Sequence, residues 1–92
     1  GLPVYVTENG IGTDDDRSRI EYVGRALAAL RRCLDDGIDV RGYFYWSLLD
    51  NFEWVLGYGP TFGMVAVDRE TFERRPKPSA AWLGGIATAN AL

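Results

Sequence analysis

Carboxylate, amide and indole side chains cluster at two points of the sequence, each directly after a run of strand-forming residues. Glu8 follows the first run, and the second run is followed by a larger group: Trp46, Ser47, Asp50, Asn51, Glu53 and Trp54. An indole face can stack on the apolar side of a pyranose ring, while carboxylates and amides form hydrogen bonds with its hydroxyl groups. This combination of residue types predicts a carbohydrate site.

The elements that must position these groups form a β-α-β pattern. Residues 2–7 are β-branched and aromatic and predict a strand, and the apolar run 43–46 predicts a second strand that is buried on both faces, as in a parallel sheet. Between them, apolar residues at three- and four-residue spacing predict a one-sided helix over about 18–36, on the positions Ile20, Val23, Leu27, Leu30 and Leu34. Arg19 lies off this stripe, so we expect it to face water. We expect the same of the acidic turn at 14–16.

The rest of the chain predicts a hairpin around 64–71 and a final helix from about Ser79, with no linker, so residues 1–92 form one unit. Two parallel strands leave both edges of the sheet open. The pattern therefore predicts an incomplete α/β fold whose natural parent is an eight-stranded (β/α) barrel, in which active sites lie at the carboxyl ends of the strands. Since Gly1 leads directly into a strand, we expect a piece of a longer chain or one chain of a split protein.

Composition excludes several other classes of protein. The net charge of -3 argues against binding to nucleic acid or to an anionic membrane, and no apolar run is long enough to span a bilayer. The single cysteine, Cys33, cannot form an internal disulfide, so we expect a cytoplasmic location. Histidine, the commonest metal ligand, is absent, and the acidic turn lacks the spacing of an EF-hand loop. We therefore expect no metal and no cofactor.

Three motifs give the chain a specific resemblance. Val-Thr-Glu-Asn-Gly at 6–10 resembles the first signature of glycoside hydrolase family one, the β-glucosidase and β-galactosidase family. Trp-Ser-Leu-Leu-Asp-Asn-Phe-Glu-Trp at 46–54 resembles the second signature of that family, and Arg-Pro-Lys-Pro-Ser-Ala at 75–80 resembles its closing stretch. The resemblance implies a (β/α)₈ TIM barrel, of which this chain is the C-terminal part, about strands seven and eight with their helices.

The resemblance also implies a role for individual residues. Glu8 matches the catalytic nucleophile, and Trp46 matches the tryptophan on which the sugar stacks. Glu53 matches the carboxylate that binds the outer hydroxyl groups of that sugar, and Trp54 matches a tryptophan whose indole N–H donates to a further hydroxyl. Phe62 matches an aromatic residue in the pocket wall. The implied reaction is the retaining hydrolysis of terminal β-linked sugars through a covalent glycosyl-enzyme, which needs two carboxyl groups about 5–5.5 Å apart.

The second carboxyl group of this reaction is absent from the chain. In the family it belongs to an Asn-Glu-Pro motif on an earlier strand, and no such motif occurs here. We therefore expect the N-terminal remainder of the barrel to be the partner that supplies it, and the 92-residue chain alone to be inactive.

Two other functions remain open. The first is a sugar-binding module that performs no chemistry, and the second is a structural piece that closes a barrel. At the level of residues, Trp46 and Trp54 could be plain core aromatics and Glu53 could pair with an arginine. Asp50 and Asn51 are more typical of side chains that hold a loop than of side chains that contact sugar.

Overall fold

A parallel pair of strands joined by a long helix forms the first half of the molecule in a computed structural model that describes all 92 residues. Strand β1 (Val4–Asn9) is followed by helix α1 (Asp16–Asp35) and strand β2 (Val40–Tyr45). β1 pairs with β2 in parallel, which confirms the predicted β-α-β unit. The second half contains a short 3₁₀ turn (Trp54–Leu56), an antiparallel pair made of β3 (Val65–Val67) and β4 (Arg74–Pro76), and helix α2 (Pro78–Ala89).

Helix α1 begins two residues earlier than predicted, because the acidic turn caps it. The Asp15 carboxylate accepts a hydrogen bond from the backbone N–H of Arg17, so Asp15 is the N-cap and Asp16 lies in the first turn. The hydroxyl of Ser18 and that N–H lower the pKa of Asp15 from its ordinary value. At the other end Gly37 takes a φ of +85°, which favours glycine, and the helix stops.

The predicted hairpin exists, but its returning strand lies later, at Arg74–Pro76. The turn is longer than predicted because the Asp68 carboxylate accepts hydrogen bonds from the backbone N–H groups of Thr71 and Glu70. The same two bonds lower the pKa of Asp68. Helix α2 begins one residue before the predicted position, with Pro78 in its first turn, where a missing N–H has no cost.

The register of β1 against β2 contains a β-bulge. Tyr43 and Tyr45 face the helices, so their partners Val6 and Asn9 face the helices as well. One residue separates the two tyrosines, whereas Thr7 and Glu8 both lie between Val6 and Asn9. Thr7 and Glu8 together therefore stand opposite Phe44, on the face of the sheet that points away from the helices.

Little of the molecule is buried. The buried apolar residues are Val23, Met64 and Val65, whereas Tyr5 and Phe44, on the sheet face away from the helices, are 55% and 58% exposed. The prediction that β2 is buried on both faces is therefore wrong for this chain, since no described residue covers the second face. No helix combines the length and the apolar character needed to cross a membrane.

The main hollow of the molecule is an apolar groove between α1, α2 and the start of β2. Its lining is dominated by aliphatic side chains from the three elements, among them Leu27, Leu30, Leu34, Val40, Leu83 and Ile86. The groove lies on the helix side of the sheet and includes none of the predicted site residues.

We expect the isolated chain to fold poorly or to aggregate, because both edges of the β1–β2 pair and one apolar face have no cover. Thermal unfolding followed by circular dichroism should show a broad, non-cooperative change, and sedimentation should show self-association. A sharp unfolding transition from a chain that sediments as a monomer would contradict this expectation.

Candidate active site

Glu8 lies near the carboxyl end of β1 within the bulge. Its side chain is exposed on the face of the sheet opposite the helices, and its carboxylate has no hydrogen-bond partner within the chain. The neighbouring Asn9 is held on the other face, where its amide donates to the hydroxyl of Tyr22 at 3.1 Å and accepts from the hydroxyl of Tyr43 at 2.9 Å. Asn9 thus anchors this strand end to α1 and β2, while Glu8 stays free.

Burial raises the pKa of Tyr43 to about 12, together with the nearby hydroxyls of Tyr22 and Tyr45. The Tyr43 hydroxyl is therefore still harder to ionise than a tyrosine in water, and it donates to Asn9.

Trp46 lies directly beside the end of β1. Its backbone N–H donates to the carbonyl of Asn9 at 2.9 Å, which extends the pairing by one step beyond β2. The chain approaches so closely here that a Cβ atom on Gly10 would overlap the Trp46 carbonyl oxygen. Only glycine fits at position 10, so the close contact between the Glu-Asn-Gly run and Trp46 depends on this glycine. The Trp46–Ser47 peptide bond is cis.

Glu53 is brought to the indole of Trp46. The indole N–H of Trp46 donates to Oε1 of Glu53 at 3.3 Å, and the other carboxylate oxygen has no partner in the chain. No arginine of this chain pairs with Glu53. The structure therefore gathers Glu8, Trp46 and Glu53 at the carboxyl ends of the two strands.

Trp54 and Phe62 lie on the loop that follows. Trp54 opens the 3₁₀ turn with a φ of +50° and is 81% exposed, so it is no core aromatic in this chain. Its indole meets the ring of Phe52 edge-on at 6.4 Å between centroids. The Phe62 ring packs against Gly12, in the loop after β1. The place of Phe62 in a pocket wall stays a prediction.

Asp50 and Asn51 hold the loop, as their side chains suggest. The Asn51 amide donates to Ser47 Oγ at 3.1 Å and to the carbonyl of Leu49 at 3.0 Å. The Asp50 carboxylate accepts from the backbone N–H of Gly63 at 2.8 Å. These bonds fix the chain just before Glu53.

Arg19 is completely buried. Its position off the apolar stripe of α1 predicted an exposed side chain, and that prediction is wrong. Its guanidinium donates to the hydroxyl of Tyr45 at 3.1 Å and to the backbone carbonyls of Thr13 and Thr61, each at 2.6 Å. It also pairs with Asp16 at 2.8 Å. Arg19 thus ties the loop after Glu8 to the loop that bears Phe62. The only sequence signal for it is the three-residue spacing from Asp16, which suits a helical ion pair.

Asp16 is likewise held inside the structure rather than in a solvated turn. It accepts hydrogen bonds from the backbone N–H of Ser79 at 2.7 Å and from the Ser79 hydroxyl at 2.8 Å. Burial alone would raise the pKa of Asp16, but the bonds from Arg19 and Ser79 outweigh it and lower that pKa. The start of α2 is joined in this way to the start of α1.

No cluster of three or more histidine, cysteine, aspartate or glutamate side chains forms a possible metal site. The strand ends carry two carboxylates, those of Glu8 and Glu53, and the indole of Trp46.

Comparison with known proteins places this geometry in a family. The family model described as Glycosyl hydrolase family 1 matches residues 1–92. β-Glucosidase 47 of Arabidopsis thaliana is 49% identical over 87 residues, which are 88% of this chain and 16% of that protein. The solved structure of a β-glucosidase designated 1317 superimposes with a TM-score of 0.95 at 60% identity, over 98% of this chain and 22% of that one.

A β-glycosidase from Pyrococcus horikoshii offers a complete barrel for experiments. It is 55% identical, with a TM-score of 0.93, over 95% of this chain and 21% of its own length. The chain thus spans about a fifth of the proteins it matches, and its fold is part of a (β/α)₈ barrel. In the experiments below, residues 1–92 replace the matching segment of the Pyrococcus horikoshii enzyme. We call this hybrid protein the barrel chimaera.

Replacing Arg19 with methionine in the barrel chimaera should lower the free energy of unfolding by about 3 kcal/mol, because the carbonyls of Thr13 and Thr61 and the Asp16 carboxylate each lose a charged donor from a completely buried side chain. Arg25→Met is the matched control. Arg25 lies on the same helix and pairs with Glu21 in solvent, so its loss should cost under about 1 kcal/mol. Urea denaturation measures both variants. Equal, small effects would show that the Arg19 network contributes little.

Proposed function

The chain belongs to glycosyl hydrolase family 1, and we propose that it is the C-terminal part of a retaining β-glycosidase whose nucleophile is Glu8. The observation that carries this proposal is the meeting of the Glu8 strand end with Trp46 and Glu53 at the carboxyl ends of parallel strands. In barrels of this kind that edge is where catalytic residues lie.

Glu8 suits the nucleophile because it is exposed and has no partner in the chain. Its carboxylate would attack the anomeric carbon of a β-linked sugar, release the leaving group and hold the sugar as a glycosyl ester. Water would then attack the same carbon from the face that the leaving group left, which restores the β-configuration. The indole of Trp46, one step along the sheet edge, would carry the sugar ring in reach of Glu8.

Glu53 and Trp54 suit the recognition of the sugar's hydroxyl groups. Oε1 of Glu53 accepts from the Trp46 indole, so the other oxygen is free to accept from a hydroxyl group. Trp54 lies next to Glu53 with an exposed indole, whose N–H has no partner in the chain. A carboxylate acceptor beside an indole donor matches a sugar hydroxyl, which both donates and accepts. Phe62 is proposed as part of the pocket wall.

The acid/base carboxyl group must come from the rest of the barrel. The other glutamates lie elsewhere: Glu21 pairs with Arg25 on α1, and Glu70 and Glu73 lie in the exposed turn between β3 and β4. A partner segment that precedes this chain in the barrel would therefore complete the reaction, and the 92 residues alone would not hydrolyse glycosides.

The alternative is a module that binds sugar without chemistry. It is favoured by one observation, namely that the chain supplies a stacking indole and two hydroxyl-binding groups but only one carboxylate suited to catalysis. Binding by such a module would not depend on the charge of Glu8.

Glu8→Ala in the barrel chimaera should lower kcat for an aryl β-glucoside by about 10³-fold or more, because no other carboxylate can form the glycosyl ester. Glu21→Gln is the control, since Glu21 is exposed on α1 and should leave kcat unchanged. The two variants should have the same circular dichroism spectrum as the parent. Undiminished turnover by Glu8→Ala would overturn the assignment, and sugar binding without any turnover by the parent would favour the binding module.

A further inference from the structure

The loop at 51–62 leaves and rejoins the body of the protein at a narrow neck. Its two ends meet where Asp50 contacts Gly63, and a Cβ atom on Gly63 would overlap the backbone of Asp50. The Asp50 N–H donates to the carbonyl of Val65 at 3.0 Å, and the Asp50 carboxylate accepts from the N–H of Gly63 at 2.8 Å. Both ends of the loop are therefore held within a few ångströms of each other.

Lys77 closes this neck. Its ammonium group donates to Oδ1 of Asp50 at 3.1 Å and to the carbonyl of Gly63 at 2.7 Å, so one cation holds both ends of the loop. The side chains of Lys77 and Asp50 are only 18% and 9% exposed. The backbone N–H of Lys77 also donates to the carbonyl of Met64. This bond fixes the backbone from which the Lys77 side chain extends to Asp50 and Gly63.

The middle of the loop has little other support. Trp54, Val55 and Leu56 are 65% exposed or more, and the bonds within the 3₁₀ turn are local. The Phe52 ring meets the rings of Trp54 and Tyr58 edge-on, and Arg69 lies over Tyr58 at 3.8 Å from the ring centre. The path that brings Glu53 to the Trp46 indole therefore depends on how the ends of the loop are held.

We propose that Lys77 is a positioning residue for sugar recognition: by joining Asp50 to Gly63 it sets the loop path that places Glu53 beside Trp46. The inference rests on the proposed function. Lys77 does not touch the sugar and acts only through the loop. Its effect should therefore appear in the recognition of the hydroxyl groups that Glu53 and Trp54 bind, and not in the chemistry at Glu8.

The test compares kcat/KM of the barrel chimaera for an aryl β-glucoside and for the matching aryl β-xyloside, which lacks the outer hydroxymethyl group. Lys77→Met should lower kcat/KM for the glucoside about tenfold and the glucoside-to-xyloside ratio at least threefold, because the lost recognition concerns the outer part of the sugar. Lys77→Arg, which keeps a cation of similar reach, should recover most of the ratio. The ratio is independent of how much of the variant is folded, so a general loss of stability would not change it.

Arg74→Met is the matched control. Arg74 lies on the same stretch of chain, but its guanidinium contacts only the carbonyl of Phe72 at the surface, so the ratio should stay unchanged. Asp50→Asn provides a second variant, since it removes the charge that Lys77 pairs with and keeps an acceptor for Gly63; it should lower the ratio as Lys77→Met does.

An unchanged ratio in both Lys77→Met and Asp50→Asn would overturn the inference while leaving the proposed function intact. A parent chimaera that cleaves neither substrate would instead overturn the proposed function, and this inference would fall with it.

Discussion

The site depends on one close approach, that of the backbone after β1 to the backbone after β2. The Trp46 N–H donates a hydrogen bond to the carbonyl of Asn9. Because Gly10 has no Cβ atom, the Trp46 carbonyl can lie against it, and any other residue at position 10 would clash there. Because the strands are parallel, this contact puts the residues that follow each of them at the same edge of the sheet. The β-bulge then turns Glu8 to the face away from the helices, while Asn9 stays anchored on the helix side.

Two cations, the buried Arg19 and the largely covered Lys77, hold the loops at that edge. Arg19 bonds to the carbonyls of Thr13 and Thr61 and so joins the loop after Glu8 to the far end of the loop that carries Glu53. Lys77 closes the neck of the same loop. Both side chains donate hydrogen bonds to loop carbonyls, Arg19 to those of Thr13 and Thr61 and Lys77 to that of Gly63. The groups that we propose for sugar recognition, Glu8 and the second carboxylate oxygen of Glu53, therefore need no partner within the chain, since the loops do not rely on them for support.

The sequence predicted the parts of this structure that follow from short-range patterns. The spacing of Val23 and Leu27 predicts α1, and the apolar run at 43–46 predicts β2. The Glu-Asn-Gly and tryptophan motifs predict the family by resemblance, and the matching family model confirms it. The burial of Arg19 was missed because its bonding partners at 13 and 61 are backbone carbonyls, which leave no mark in side-chain periodicity. The late return of the hairpin was missed for a similar reason, since it depends on the backbone bonds that Asp68 accepts.

Covalent trapping tests the central claim most directly. The barrel chimaera would be incubated with an activated 2-deoxy-2-fluoro-β-glucoside, which slows hydrolysis of the glycosyl ester, and its peptides would be analysed by mass spectrometry. The account predicts one sugar per protein, attached to the peptide that contains Glu8, and none in Glu8→Gln. A sugar attached to any other residue, or a label that persists in Glu8→Gln, would contradict it.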